Sequence, residues 1–123
     1  MEKDPIKRIR SHTFYGRKYR FRYTDPELIT TPEELQEVRI NCGLAPTDRI
    51  VGLTDDNRAD KLELIVSDKL EKENPKELLR VLLDEAFHAL DSTTDNNVVD
   101  EYARDLCDFL WRCGYRRITS FSS

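Results

Sequence analysis

The chain has 123 residues, of which 38% are apolar and 36% charged, with a net charge of −4. That length supports one modest core and excludes a multidomain architecture, so residues 1–123 read as a single domain. No apolar run approaches the ~20 residues of a spanning helix, and the N-terminus, MEKDPIKRIR, lacks the apolar segment of a secretory signal. The sequence therefore predicts a cytoplasmic protein without a membrane partner.

Charge is unevenly placed. Residues 1–23 hold eight Lys or Arg against two acids, which leaves twelve against twenty-two in the remainder. From Tyr19 to Tyr23, aromatic and basic residues alternate with the period of a half-buried strand. Gly16 marks a turn from a short partner strand. Lys18, Arg20 and Arg22 would line the wet face, either as solvated charge or as contacts to nucleic-acid phosphates. Tyr19, Phe21 and Tyr23 are expected in the core, the other reading being an exposed aromatic strip for a partner.

Asp25-Pro26 and Thr31-Pro32 are loop and helix-start signals. In EVRIN the apolar Val38 and Ile40 fall on one face at strand spacing. Cys42 to Pro46 is turn-like, Arg49 to Leu53 reads as a short strand, and residues 54–60 read as an exposed loop. KLELIV (61–66) predicts the last strand, alternating at Leu62, Leu64 and Val66. Residues 1–70 are thus expected to be mainly strands.

After Asn74-Pro75 the period becomes helical. Leu78, Leu79, Leu82, Leu83, Ala86 and Leu90 form an apolar stripe ending near Leu90 or Asp91. Thr94, Asp95 and Asn96 offer caps for a second helix, which runs past Trp111 and stops at Gly114. The tail from Arg116 adds a strand or frays. Two helices over 75–114 after a small antiparallel or mixed sheet make the fold class α+β. Cys42, Cys107 and Cys113 form no C-x-x-C pair and read as free thiols.

On the first long helix, in LLDEAFHALD (82–91), Asp84 and His88 are four apart and project from one face, with Asp91 near it. Two donors at that spacing converge on one point, and an adjacent Glu85 is placed to take a proton from a metal-bound water. The leucines are expected on the opposite side. The same acids also suit a plain solvated face, with His88 at its boundary.

Residues 62–117 resemble the small phage-associated zincin-like metallopeptidases, relatives of the SprT and ImmA/IrrE types. A strand precedes a helix of H-E-x-x-H type, a second helix opens in E-x-x-A style, and the ending resembles LWRCGYRR (110–117). Asp84 stands where that family has its first His.

The resemblance implies Asp84 and His88 as metal ligands, Glu85 as general base, and an acid opening the second helix as third ligand. That acid is Asp100 when Ala103 is aligned, with Glu101 and Asp95 as alternatives. Tyr102 or Tyr115 would steady an oxyanion. The implied metal is zinc, whereas a carboxylate-rich set suits manganese or magnesium.

Asp is shorter than His, and added negative charge lowers a metal's Lewis acidity. The expected function is therefore a binding or regulatory module with a degenerate motif and weak or absent metal binding. The alternatives are a metal-dependent hydrolase and a nucleic-acid-contacting accessory protein. The expected partner is a protein or peptide, met in the host cytoplasm if the chain is phage-encoded. A binding module is expected to pair Asp84 with Arg80, one turn earlier.

Overall fold

The computed structural model describes residues 9–55, 60–91 and 93–115. The chain opens as a hairpin of β1 (Ser11–Phe14) and β2 (Arg17–Tyr23), antiparallel, with Phe14 opposite Arg17. The two-residue turn places Tyr15 at φ 49° and Gly16 at φ 82°. Left-handed backbone at both positions matches the twist of the flanking strands, which is why short hairpins use it. As the alternation implies, Tyr19 is fully buried while Lys18, Arg20 and Arg22 are exposed.

Two helices then interrupt the strands. Asp25 caps α1 (Pro26–Ile29) by accepting from the Glu27 N–H, and Thr31 caps α2 (Pro32–Asn41) by accepting from the Glu34 N–H. Pro26 and Pro32 occupy first-turn positions where a missing N–H costs nothing. EVRIN is therefore helical, and Ile40 is 77% exposed rather than sharing an apolar face with Val38. The cap and proline at Thr31-Pro32 outweigh a two-residue strand signal.

The return loop is tied down by charge. Glu27 accepts from Arg39 at 3.1 Å and from the Ile50 N–H at 2.8 Å, while buried Asp25 pairs with Arg49.

The next strand, β3 (Gly52–Asp55), lies C-terminal to the expected 49–53, so Thr54 and Asp55 belong to the sheet rather than to a loop. It pairs antiparallel with β4 (Glu63–Val66), which runs parallel to β2, giving the order β1-β2-β4-β3. All four residues of β4 are buried. KLELIV is thus a central strand covered on both faces, not an alternating one, because Glu63 and Ile65 are sheltered as well as Leu64 and Val66.

Residues paired across the sheet share a face. Phe21 and Tyr23 align with Leu64 and Val66, which align with Thr54 and Gly52. Onto that face packs α4 (Pro75–Leu90), preceded by the short α3 (Leu70–Glu73) and capped by Asn74. Leu64, Val66, Leu70, Leu78 and Val81 form the core, with Phe14, Phe21, Tyr23, Val51 and Leu82 around it.

The last helix, α5 (Asn96–Arg112), is capped by Asp95 and lies on α4 through Val99, Ala103 and Cys107. Its end is a Schellman turn. Gly114 at φ 91° donates to the Trp111 carbonyl, and Tyr115 donates to that of Leu110. The tail from Arg116 lies outside the described residues.

Four strands in a mixed sheet and five helices among the described residues make the fold α+β. The helices fall on both sides of β3 and β4 in sequence, not only after them. No described helix is long and apolar enough to cross a membrane. Cys42, Cys107 and Cys113 are free thiols.

Candidate functional site

The buried line of α4 is Leu78, Val81, Glu85 and Ala89, at spacings that keep one stripe of a helix on the sheet. Leu90 is 47% exposed. Glu85 therefore lies within the buried stripe rather than opposite it, because the leucines spread around more than one face of the helix.

The approach is close. A Cβ on Gly52 would stand 2.4 Å from Val81 Cγ1 and 3.0 Å from Glu85 Oε2. Only a residue without a side chain lets α4 settle on β3 here.

Thr54, two residues along the same face, receives the carboxyl. Its Oγ1 is 2.7 Å from Glu85 Oε1 and 3.1 Å from the Glu85 carbonyl oxygen. The hydroxyl donates to the nearer Oε1, with the carbonyl oxygen as a second, longer acceptor.

Burial pushes the Glu85 carboxyl up to about 8, the Asp84 charge adds to this, and the Thr54 hydrogen bond and Arg80 oppose it. Burial also raises Asp84 above the usual carboxylate range, against the pull of His88 and Arg80.

Asp84 and His88 are one turn apart, with Oδ2 and Nε2 separated by 3.8 Å and both side chains about one-fifth exposed. Together with Glu85 they offer donor atoms within 4.8 Å of one another. These three expected site residues are thus brought together.

Asp100 takes a different part. It accepts from Arg80 Nη1 at 3.3 Å and from Arg104 Nε at 2.8 Å. Arg80 also grips both carboxylate oxygens of Glu77 at 2.7 and 2.9 Å. The expected direct pair of Arg80 with Asp84 is therefore replaced by Glu77–Arg80–Asp100–Arg104, and Arg80 acts on Asp84 only through its charge. A bidentate hold on Glu77 fixes the guanidinium plane and leaves an Nη1 N–H free to reach Asp100.

Of the other acids considered, Asp95 caps α5 and Glu101 is exposed. Asp91 accepts from Thr93 and Thr94 in the connecting turn. Tyr102 packs edge-on to Phe87 and is 58% exposed, and Tyr115 is 65% exposed; neither lines the cleft at this cluster.

That cleft has a volume of about 740 Å³, within the size range of small-ligand sites. Gly52, Thr54, Val81 and Glu85 form its floor, the end of α2 one wall and the start of α5 the other. Asn96 Nδ2 donates to the Asn41 carbonyl at 2.9 Å and ties the walls together. Cys42 stands on the first wall; burial raises its thiol pKa, with Glu85, Asp84 and Asp100 adding to the effect. That environment disfavours the nucleophilic thiolate.

The donor chemistry fits a metal only in part. Asp84 and His88 are placed as two ligands, but Glu85 Oε1 is occupied by Thr54 and Asp100 by two guanidinium groups. Only Oε2 of Glu85 is left as a third donor beside them.

Thr54 and Gly52 were not singled out in the sequence. The signal for either is faint, a glycine and a hydroxyl spaced by two before a polar loop. No family model, no curated protein and no solved structure matches the chain.

Proposed function

We propose that the chain is a zincin-like binding or regulatory module in which the Asp84–His88 helix has been turned from peptidase chemistry to structure, its cleft taking a protein or peptide partner. The observation carrying this reading is Glu85 buried against β3 and bonded to Thr54. A general base must be ionised near the working pH and must reach the proton it removes. Burial pushes the Glu85 carboxyl up to about 8, and one of its oxygens is held by the Thr54 hydroxyl. Arg80 and Arg104 likewise hold the acid that the resemblance offers as third ligand.

A second reading, a metal-dependent hydrolase, is favoured by the donor atoms of Asp84, Glu85 and His88 within 4.8 Å. A divalent ion would supply Lewis acidity and a positive charge that lowers the pKa of nearby acids. On this chain, Asp84 and His88 would hold it, with Glu85 beside them offering the oxygen that Thr54 does not bind.

The deciding experiment is metal analysis of the purified protein and its Asp84→Ala and His88→Ala variants after dialysis against mixed divalent ions. It is run beside an NMR titration of the Glu85 carboxyl. The binding-module reading expects no stoichiometric metal and a Glu85 midpoint near 8 with or without the ions. One equivalent in the parent, lost in both variants, with protein cleavage abolished by Glu85→Gln, would establish the hydrolase instead.

A further inference from the structure

We infer that the β1–β2 hairpin is a binding surface for single-stranded nucleic acid, separate from the cleft. It lies at the opposite end of the sheet, since β1 and β3 are the two outer strands. Lys18, Arg20 and Arg22 alternate with the core-side Tyr19, Phe21 and Tyr23 and so project from the face opposite α4, while Arg17 lies over the Tyr19 ring. Residues 9–23 carry five Lys or Arg and no acid, in a chain whose net charge is −4. A polyanion repelled by the acidic body is thus complementary to this segment.

The register sorts these charges. Lys18 pairs with Thr13 and Arg20 with Ser11, so two cations and two hydroxyls share one exposed face. Arg22 continues the row, 3.7 Å from Glu63. Alternate residues of a strand repeat every ~6.7 Å, a spacing comparable to that of successive phosphates in an extended strand. Hydroxyls and basic side chains are the groups that contact phosphate oxygens without reading sequence.

Tyr15 identifies the polymer. It holds φ 49° at the hairpin tip, a conformation that favours Asn or Gly, and its ring is 88% exposed. Folding draws little from that ring and bears its backbone strain. An exposed aromatic beside a row of cations is the pairing that stacks a base while the backbone is neutralised. An acidic protein surface would use the cations and have no need of the ring.

The test is fluorescence anisotropy of a labelled single-stranded oligothymidylate with the full chain. Parallel runs use polyglutamate and vesicles containing phosphatidylserine. Binding is expected at low salt, with log Kd rising against log salt at a slope of about 2 for two to three phosphates. Lys18→Glu with Arg20→Glu should abolish it. Tyr15→Asn should weaken it about tenfold, consistent with one lost stacking contact, while leaving the hairpin folded, because Asn suits the turn. Melting curves of each variant confirm that the fold is kept.

No binding at low salt would overturn the assignment, as would binding that survives the double charge reversal. Equal affinity for polyglutamate with no effect of Tyr15→Asn would replace it by an acidic-protein surface, and preference for the vesicles by a membrane surface. None of these outcomes depends on Asp84, Glu85 or His88.

Discussion

The two ends of the sheet solve opposite problems with polar residues. At β3, a carboxyl is taken out of water and its pKa raised by burial in a glycine-sized gap, against the pull of a hydroxyl. At β1 and β2, cations stay in water on a strand whose other face supplies the core. Polar groups in the first place are strongly coupled to stability, since the local dielectric is low and each has one partner. In the second, solvent screening makes single charges nearly independent of the fold.

The pH dependence of stability should break the two ends apart most widely. Glu85 has its folded pKa raised to about 8, above the unfolded value of ~4.3. Between those values the native state holds a proton that the unfolded state lacks. Stability from this group is fully present below about pH 4, falls as pH rises, and is lost above about pH 8. The whole effect is of the order of a few kcal/mol. Urea unfolding at acid, neutral and alkaline pH should show this slope, and Glu85→Gln should flatten it. Parallel slopes in parent and variant would mean that Glu85 ionises normally.

Gly52→Ala comes next. Its backbone is not left-handed, so the cost is steric, a Cβ placed 2.4 Å from Val81 Cγ1. Overpacking of this kind costs about 1–3 kcal/mol, and the buried position of Val81 puts the expectation near the top of that range. A urea midpoint unchanged from the parent would show that α4 stands further from β3.

Thr54→Val is smaller, about 1–2 kcal/mol, for a part-buried hydrogen bond lost at nearly constant volume. It has a second signature. The Thr54 bond opposes the rise of the Glu85 pKa, so its loss should move the Glu85 midpoint further up. A midpoint that moves down would show that the bond holds the acid rather than the carboxylate.

The same contrast explains what could be read from the sequence. The hairpin, α4 and α5 were legible because local chemistry sets them: alternation from Tyr19, Gly16 in the turn, Asn74-Pro75 at one start, and Asp95 and Gly114 around the last helix. The Asp84–Glu85–His88 cluster was legible for the same reason, since four-residue spacing on a helix needs no tertiary information. What was hidden depends on approach between distant segments. Thr54 meets Glu85 across thirty-one residues, and the demand for glycine at 52 exists only once α4 is in place. α2 was hidden differently, since Leu35 is its only buried residue, so no apolar stripe betrayed it. The burial of Glu85 was misread because six apolar residues on α4 suggested a stripe that the actual contact line crosses.

The smallest expected effect has the opposite sign and lies at the hairpin. Tyr15→Asn replaces a β-carbon-bearing aromatic at φ 49° with a residue whose short side chain tolerates the left-handed region. The exposed ring contributes little burial to lose. The variant should therefore gain about 0.5–1 kcal/mol, the scale on which compatible turn substitutions stabilise. A rise of a few degrees in melting temperature would follow. If stability rises while oligonucleotide affinity falls, Tyr15 is retained against the interest of the fold, which marks the tip as a contact surface. If stability falls instead, the ring packs in solution and the hairpin is structural throughout. The two ends of the sheet would then differ only in where they keep their charge.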